Sequence, residues 1–395
     1  MMQPFWKRDY TFWIAYALVT LAVSIHTVLK GPNGYGYTSY ENYVIFKNSF
    51  AHLVHGLNPY SSFPAEQWDL YKYSPAFSVA MAPFSALPDM PGLALWNLLN
   101  ALPLLWVILK MPVLTPQQRR FMAWFILPEL IVSLQNSQSN GLTAALILLT
   151  WLALEMSKPV QSAWWAVAGG FVKIFGALAL LPACIYPQRN RLIPAAAVWA
   201  TLLFAIPLVV ISPAQLWQVY RWWGELLRDD HSASVGLSVM GWLQTWFGWQ
   251  APKMAVLLTG FALLLACTWT VFRRRSNTAD GLPPVQDRIR LWAMLLLWVV
   301  VFNHKAESPT FVIAMCGVAL WYQSVPQPAR WMTILLWTAF VMASVSPTDI
   351  FPRVVRTALV QPYVLKAVPC IAIWLVLTIQ LLRPENREQT LTTDE

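Results

Sequence analysis

Between Glu41 and Pro75 the chain gathers, in one polar stretch, side chains able to do acid–base and anion chemistry: ENYVIFKNSFAHLVHGLNPYSSFPAEQWDLYKYSP. Glu41, Glu66 and Asp69 supply carboxylates that can take a proton from a hydroxyl. Lys47, Lys72, His52 and His55 supply cationic donors suited to a phosphate. Asn42, Asn48, Asn58, Tyr60, Tyr71 and Tyr73 add amides and phenols. Three later polar segments carry similar groups. Trp217–Ser234 sets Arg221, Glu225, Arg228, Asp229, Asp230 and His231 among Trp217, Tyr220, Trp222 and Trp223. Asn303–Pro309 holds His304, Lys305 and Glu307 with almost no loop between two apolar runs. Ser346–Lys366 contributes Asp349, Arg353 and Arg356. A block of amides and hydroxyls at Gln135–Asn140, including Asn136 and Asn140, suits sugar hydroxyls or, equally, helix–helix contacts. Charged groups beside apolar runs are functional candidates by default, with simple snorkelling at span ends as the alternative.

The elements that must position these groups are helices in a membrane. Of 395 residues, 57% are hydrophobic and 11% charged, against about 25% charged in soluble chains. Apolar runs recur from end to end, predicting an all-α polytopic protein of about 12 transmembrane helices with juxtamembrane helices on the outer face. The spacing predicts an amphipathic surface helix from Glu41, with Glu41, Asn48, His52 and His55 on its polar face. Phe46, Phe50, Leu53 and Val54 fall on the other face, and Gly56, Pro59 and Pro64 end the helix. The alternative is a solvated connector. Spans are expected at about 12–29, 75–87, 91–109, 121–134, 141–156, 163–185 and 193–211. Others follow at about 254–272, 291–302, 310–322, 331–345 and 364–382. Residues 1–383 form one domain with 30–74 as its first outer loop, and 384–395 form a cytoplasmic tail. Arginines then fall mostly inside, with Arg119-Arg120 as the exception unless the short run at 75–87 fails to cross. Lys173 lies near the middle of 163–185, where a lysine costs about 2.5–3.5 kcal/mol on insertion scales. It is expected to face a partner or an aqueous cavity, with Glu129 and Glu155 as the intramembrane carboxylates able to meet it.

Several classes are excluded or disfavoured. The net charge of +9 is scattered at span ends, which indicates anionic lipid and not nucleic acid. The four cysteines lie in apolar segments without metal-ligand spacing. No phosphate-binding glycine loop or dinucleotide fingerprint is present. No cofactor is called for, although a divalent metal is not excluded.

The order of motifs resembles glycosyltransferase family 87. It runs Gly56-Leu57-Asn58-Pro59-Tyr60, Tyr71-Lys72-Tyr73-Ser74-Pro75, Ala86-Leu87-Pro88, Trp96-Asn97, Gln138-Ser139-Asn140-Gly141 and Lys173, and the likeness covers roughly residues 10–325. The resemblance implies a GT-C type membrane enzyme of the inner (plasma) membrane that works on its non-cytoplasmic face. It would move a sugar, notably mannose, from a polyprenyl-phosphate donor to a lipid-linked or glycan acceptor. The family's acidic position at the start of the first outer loop falls on Asn42, which cannot act as a base. The expected base is therefore Glu41 or Asp69, with Glu41 preferred for its position at the mouth of the loop. Lys72, His304, Lys305 and Arg353 are expected to hold phosphate. Asn42, Lys47, His55, Tyr60, Tyr73, Asn136, Asn140, Lys173 and Glu307 complete the expected substrate-binding set. A transporter or lipid flippase is the rival class, and an inactive relative acting in envelope assembly is the third.

Overall fold

The computed structural model describes residues 9–229, 234–275 and 281–383. Within them the chain is helical, with no strand beyond a single bridge between Pro32 and Thr38. The expected tail 384–395, the basic segment 1–8, and Asp230 with His231 lie outside the described residues.

α1 (Asp9–Leu29) leads to α2 (Glu41–Val54), then to the short α3 (Pro75–Ala80) and α4 (Ala82–Ser85), and on to α5 (Asp89–Lys110). Ser74 caps α3 by accepting from the Phe77 amide, with Pro75 at the first helical position. The run expected as a second span breaks into two helices of six and four residues that do not cross the bundle. Lys47 of α2 pairs with Asp89 at the start of α5, so the chain enters and leaves α3–α4 at the same end of the bundle.

This reverses the expected direction of the next three helices. α5 runs away from α2, and α6 (Pro116–Gln135) returns. A reciprocal cap between Thr115 and Gln118 starts α6, with Pro116 at its first position. Arg119 donates to the Leu109 carbonyl at the far end, so the arginine pair lies with the other basic residues and is no exception. α7 (Asn140–Glu155) then descends and α8 (Pro159–Val172) climbs.

A second departure follows at the run 163–185. Lys173 is extended, and the chain turns there into a tight helical segment at Ile174–Ala179 and α9 (Leu180–Ala183). The returning strand of chain reaches the far end, where the Tyr186 hydroxyl donates to Glu155 Oε1 at 2.5 Å. A Cβ on Gly176 would collide with the Gly169 backbone, so the two passes cross at glycines. One apolar run thus folds into two passes, and Lys173 sits at the turn and not at mid-span. The two departures offset each other, and the later helices run as the spacing predicts.

Those helices are α10 (Arg189–Ala205), α11 (Pro213–Asp229), α12 (Val239–Phe247), α13 (Lys253–Arg274), α14 (Val285–Val301), α15 (Phe311–Gln323), α16 (Arg330–Phe340), α17 (Arg353–Val355) and α18 (Val368–Leu382). α15 is apolar all round, as is α14 beyond its charged start, and both are buried along almost their whole length, which makes them the central pair of the bundle. Among the described residues, four helical stretches can cross a membrane by length and composition: α1, α5, Arg189–Val209 and α13. The chain is a membrane-embedded helical protein.

α2 docks on a second apolar cluster that includes Phe46, Tyr71, Phe77 and Trp96. Its faces differ from the expected ones at two positions. His52 is buried, because the following loop folds back and stacks Phe63 on its ring at 3.7 Å. Val54 is exposed instead.

Candidate functional site

The 58–75 loop, the α6–α7 turn, the Lys173 turn and the 303–309 turn converge at one end of the bundle. Lys173 Nζ donates to Asn140 Oδ1 at 2.5 Å and lies 5.9 Å from the centre of the Tyr73 ring. Asn140 Nδ2 donates to Gln138 Oε1 at 2.6 Å, and Gln138 Nε2 donates to Glu307 Oε2 at 2.7 Å. The Tyr73 hydroxyl meets Ser139 Oγ at 3.0 Å. One polar chain therefore joins Lys173, Asn140, Gln138 and Glu307, with Tyr73 packed alongside. Neither Glu129 nor Glu155 takes part: Glu129 pairs with Lys366 and Glu155 with Arg288.

Asp69 and Lys72 form the second part of the cluster. Lys72 Nζ lies 2.9 Å from both Asp69 oxygens, and the Leu70 amide donates to Oδ1 at 2.7 Å. The two residues are three apart in an irregular loop, so the pairing rests on the loop's curvature and not on a helix face. Lys305 senses Lys72. Partial burial, and then the like charge of Lys72, push its ammonium below the ordinary lysine value, with Asp69 opposing. Burial, followed by the charge of Lys253, likewise lowers the His304 imidazolium. Burial pushes the Tyr73 phenol well up, helped by the charges of Glu307 and Asp69, which keeps it a neutral hydrogen-bonding group. Among the described residues, Lys72, Lys173 and Lys305 are thus assembled with Asp69 and Glu307, a mixture of groups able to meet an anion and to take a proton.

The 303–309 turn is held from both sides. Leu237 N donates to the Ala306 carbonyl at 2.8 Å, and Gly236, at φ +60°, fits where a side chain would meet the His304 carbonyl. Beside it opens a cavity of about 250 Å³ lined by Val235, Met240, Gln244, Trp249, Gln250 and Lys253. From below, buried Lys366 bonds Ser308 Oγ and Glu129 Oε1, each at 2.8 Å. Lys366 escapes sequence reasoning because it ends a segment whose arginines draw attention first. Its buried partner Glu129 is the only hint the sequence offers.

Other candidates serve the scaffold. Glu41 Oε1 accepts from the Trp68 amide at 2.5 Å and Oε2 from Asn33 at 3.0 Å, pinning two loops. Asn42 donates to the Asn136 carbonyl at 2.9 Å, tying α2 to the α6–α7 turn, while the Asn136 amide returns to Val132 O. Lys47 and Tyr40 both hold Asp89, a partner that reads in the sequence only as a break beside Pro88. Tyr60 donates to the Tyr73 carbonyl at 3.0 Å. Glu66 accepts from Asn48 and meets His52, both at 3.0 Å. His55 and Arg353 are exposed and stand apart from the charged chain. Trp223 Nε1 reaches the Lys72 carbonyl at 3.4 Å, and Tyr220 stacks on Phe204. Among the described residues no three His, Cys, Asp or Glu side chains are placed to share a metal ion.

Comparison with known proteins places these motifs. The family model described as glycosyltransferase family 87 matches residues 71–282, a narrower range than the motif order covers. The matched range takes in Lys72, Tyr73, the α6–α7 turn and Lys173. No curated protein matches the chain. Among solved structures, ArnT from Cupriavidus metallidurans, crystallised bound to undecaprenyl phosphate, is similar over 94% of this chain and 76% of its own, at 13% identity and a TM-score of 0.41.

Proposed function

Because the chain belongs to glycosyltransferase family 87, we propose that it transfers a mannose-like sugar from a polyprenyl-phosphate donor to a lipid-linked or glycan acceptor. The reaction takes place where Asp69, Lys72, Lys173, Lys305 and Glu307 converge. That convergence of cations and carboxylates from three separated segments is the observation that carries the proposal. The acceptor hydroxyl attacks the anomeric carbon, and its proton passes to a carboxylate. The bond from that carbon to the phosphate oxygen breaks, and the electron pair leaves with the phosphate. Lys72 and Lys305 hold the phosphate as its charge grows. We assign the base to Asp69. A donor phosphate arriving at Lys72 draws the ammonium away and frees a carboxylate oxygen beside the reacting centre. Glu41 has both oxygens taken by loop groups, and the Asn42 amide is committed to Asn136, so both suit a scaffold role.

The bundle crosses the inner (plasma) membrane about 12 times in this reading, with the return pass 174–186 taking the place of the expected span at 75–87. The end opposite the site carries Lys110, Arg119, Arg120, Lys158, Arg189, Arg191, Arg288, Arg290 and Arg330, which supports reading that end as cytoplasmic and the site as outside. The direct test is binding of a labelled polyprenyl-phosphate sugar to the purified chain and to Lys72→Gln/Lys305→Gln. The double variant should bind at least 10-fold more weakly, since charged hydrogen bonds are worth about 1.5–3 kcal/mol each. Equal binding by both proteins would remove the phosphate clamp from this site. Donor bound but moved intact, with no sugar released, would favour a lipid transporter.

A further inference from the structure

A cavity of about 600 Å³ lies at the end of the bundle opposite the charged cluster, between the first turns of α8 and α10. Lys158, Gln161 and Arg191 line its mouth, and Val160, Trp164 and Trp199 line its wall. The wall is built and not incidental. The two indoles pack edge to face with ring centres 4.9 Å apart, and Trp199 Nε1 donates to the Val160 carbonyl at 3.3 Å. Lys158 and Arg191 are exposed, and among the described residues neither is in an ion pair. The nearest carboxylate along the chain, Glu155, is turned away and satisfied by Arg288, Tyr186 and Trp151. Two cations thus face the same opening with no counter-charge. Beyond the opening, exposed Ile193, Val198 and Leu202 carry an apolar surface up α10.

We propose that this cavity binds one anionic phospholipid, its phosphate held between Lys158 and Arg191 and an acyl chain laid against Trp164, Trp199 and the apolar side of α10. The occupant is a lipid and not a free anion because the charged mouth opens directly onto a wall with almost no polar surface, which an isolated phosphate would leave unused. A basic mouth between helices at the membrane surface, backed by aromatic side chains, is the arrangement that recognises anionic headgroups. The inference rests on the chain being embedded in a membrane and is independent of sugar transfer.

The test is native mass spectrometry of the full chain in detergent, titrated with dioleoyl phosphatidylglycerol or with dioleoyl phosphatidylcholine. Three proteins are compared: unmodified, Lys158→Gln/Arg191→Gln, and Lys110→Gln as an exposed cation at the same end. The double variant should hold phosphatidylglycerol about 30-fold more weakly, and either single substitution about fivefold, the weight basic residues carry at an anionic interface. Lys110→Gln and phosphatidylcholine should show no such change. An equal loss with Lys110→Gln would mean diffuse attraction and overturn the site. Displacement of the lipid by millimolar inorganic phosphate would overturn the choice of ligand. No difference between the unmodified chain and the double variant would overturn both. Sugar transfer measured on the same preparations separates any of these results from failure of the transferase reading.

Discussion

The two ends of the bundle handle charge in opposite ways. At the basic end, Arg288 meets Glu155 through two parallel bonds, each 3.0 Å, and Glu155 also accepts from Trp151 and Tyr186. Arg274 and Arg290 share buried Asp287 beside it. In this buried cluster each arginine meets a carboxylate with fitted geometry, which is how a lock between helices is made. At the site end Lys72 pairs with Asp69 on a partly exposed loop, Lys173 is held by the Asn140 amide, and Lys72 presses on Lys305. One cluster is buried and fixed by fitted ion pairs, and the other is partly exposed and held by loop groups.

The comparison breaks most readily at the lock. Arg288→Ala leaves Glu155 buried without its cation and should lower stability by about 3–5 kcal/mol, seen as a large fall in thermal unfolding temperature in detergent. Replacing both partners with apolar residues, Glu155→Leu/Arg288→Met, should recover most of it. A similar loss from Asp69→Asn would mean that the two ends do not differ as described.

The contrast is sharpened by sidedness. A cysteine at exposed His55 should react with an impermeant thiol reagent applied to intact cells, and one at Lys158 only after permeabilisation. Labelling of both from one side would undo the assignment of the two ends to opposite faces.

The smallest effect concerns pH. Lys305 must be protonated to hold a phosphate, and its pKa lies below that of an ordinary lysine. Donor binding should therefore weaken as pH rises through an alkaline range that begins below the usual lysine titration. Lys305→Arg, which stays charged, should flatten that dependence. An unchanged profile would show that Lys305 is not in the clamp.

What could be read from the sequence divides along physical lines. Helical class, membrane embedding and the polar segments followed from composition and periodicity, which depend on local chemistry. The direction of α5, α6 and α7 did not follow, because an apolar run of span-like composition at 75–87 breaks into two short helices at the surface. The turn at Lys173 was hidden for a related reason: Gly169 and Gly176 allow two passes to cross inside one continuous apolar run. Partners were the least legible. Lys173 finds Asn140, Glu129 finds Lys366 across the bundle, and Glu41 is used by Asn33 and Trp68, pairings that only the folded chain brings together.

The central claim is that the end holding Asp69, Lys72 and Lys305 carries out sugar transfer with Asp69 as its base. Purified Asp69→Asn and Glu41→Gln, each shown to be folded by an unchanged unfolding temperature, should be assayed for transfer from a polyprenyl-phosphate sugar. Asp69→Asn should lose transfer by about 100-fold or more, as loss of a general base does, while Glu41→Gln should stay within about threefold of the unmodified chain, as loss of one loop hydrogen bond does. Full transfer by Asp69→Asn, or a collapse confined to Glu41→Gln, would contradict the account.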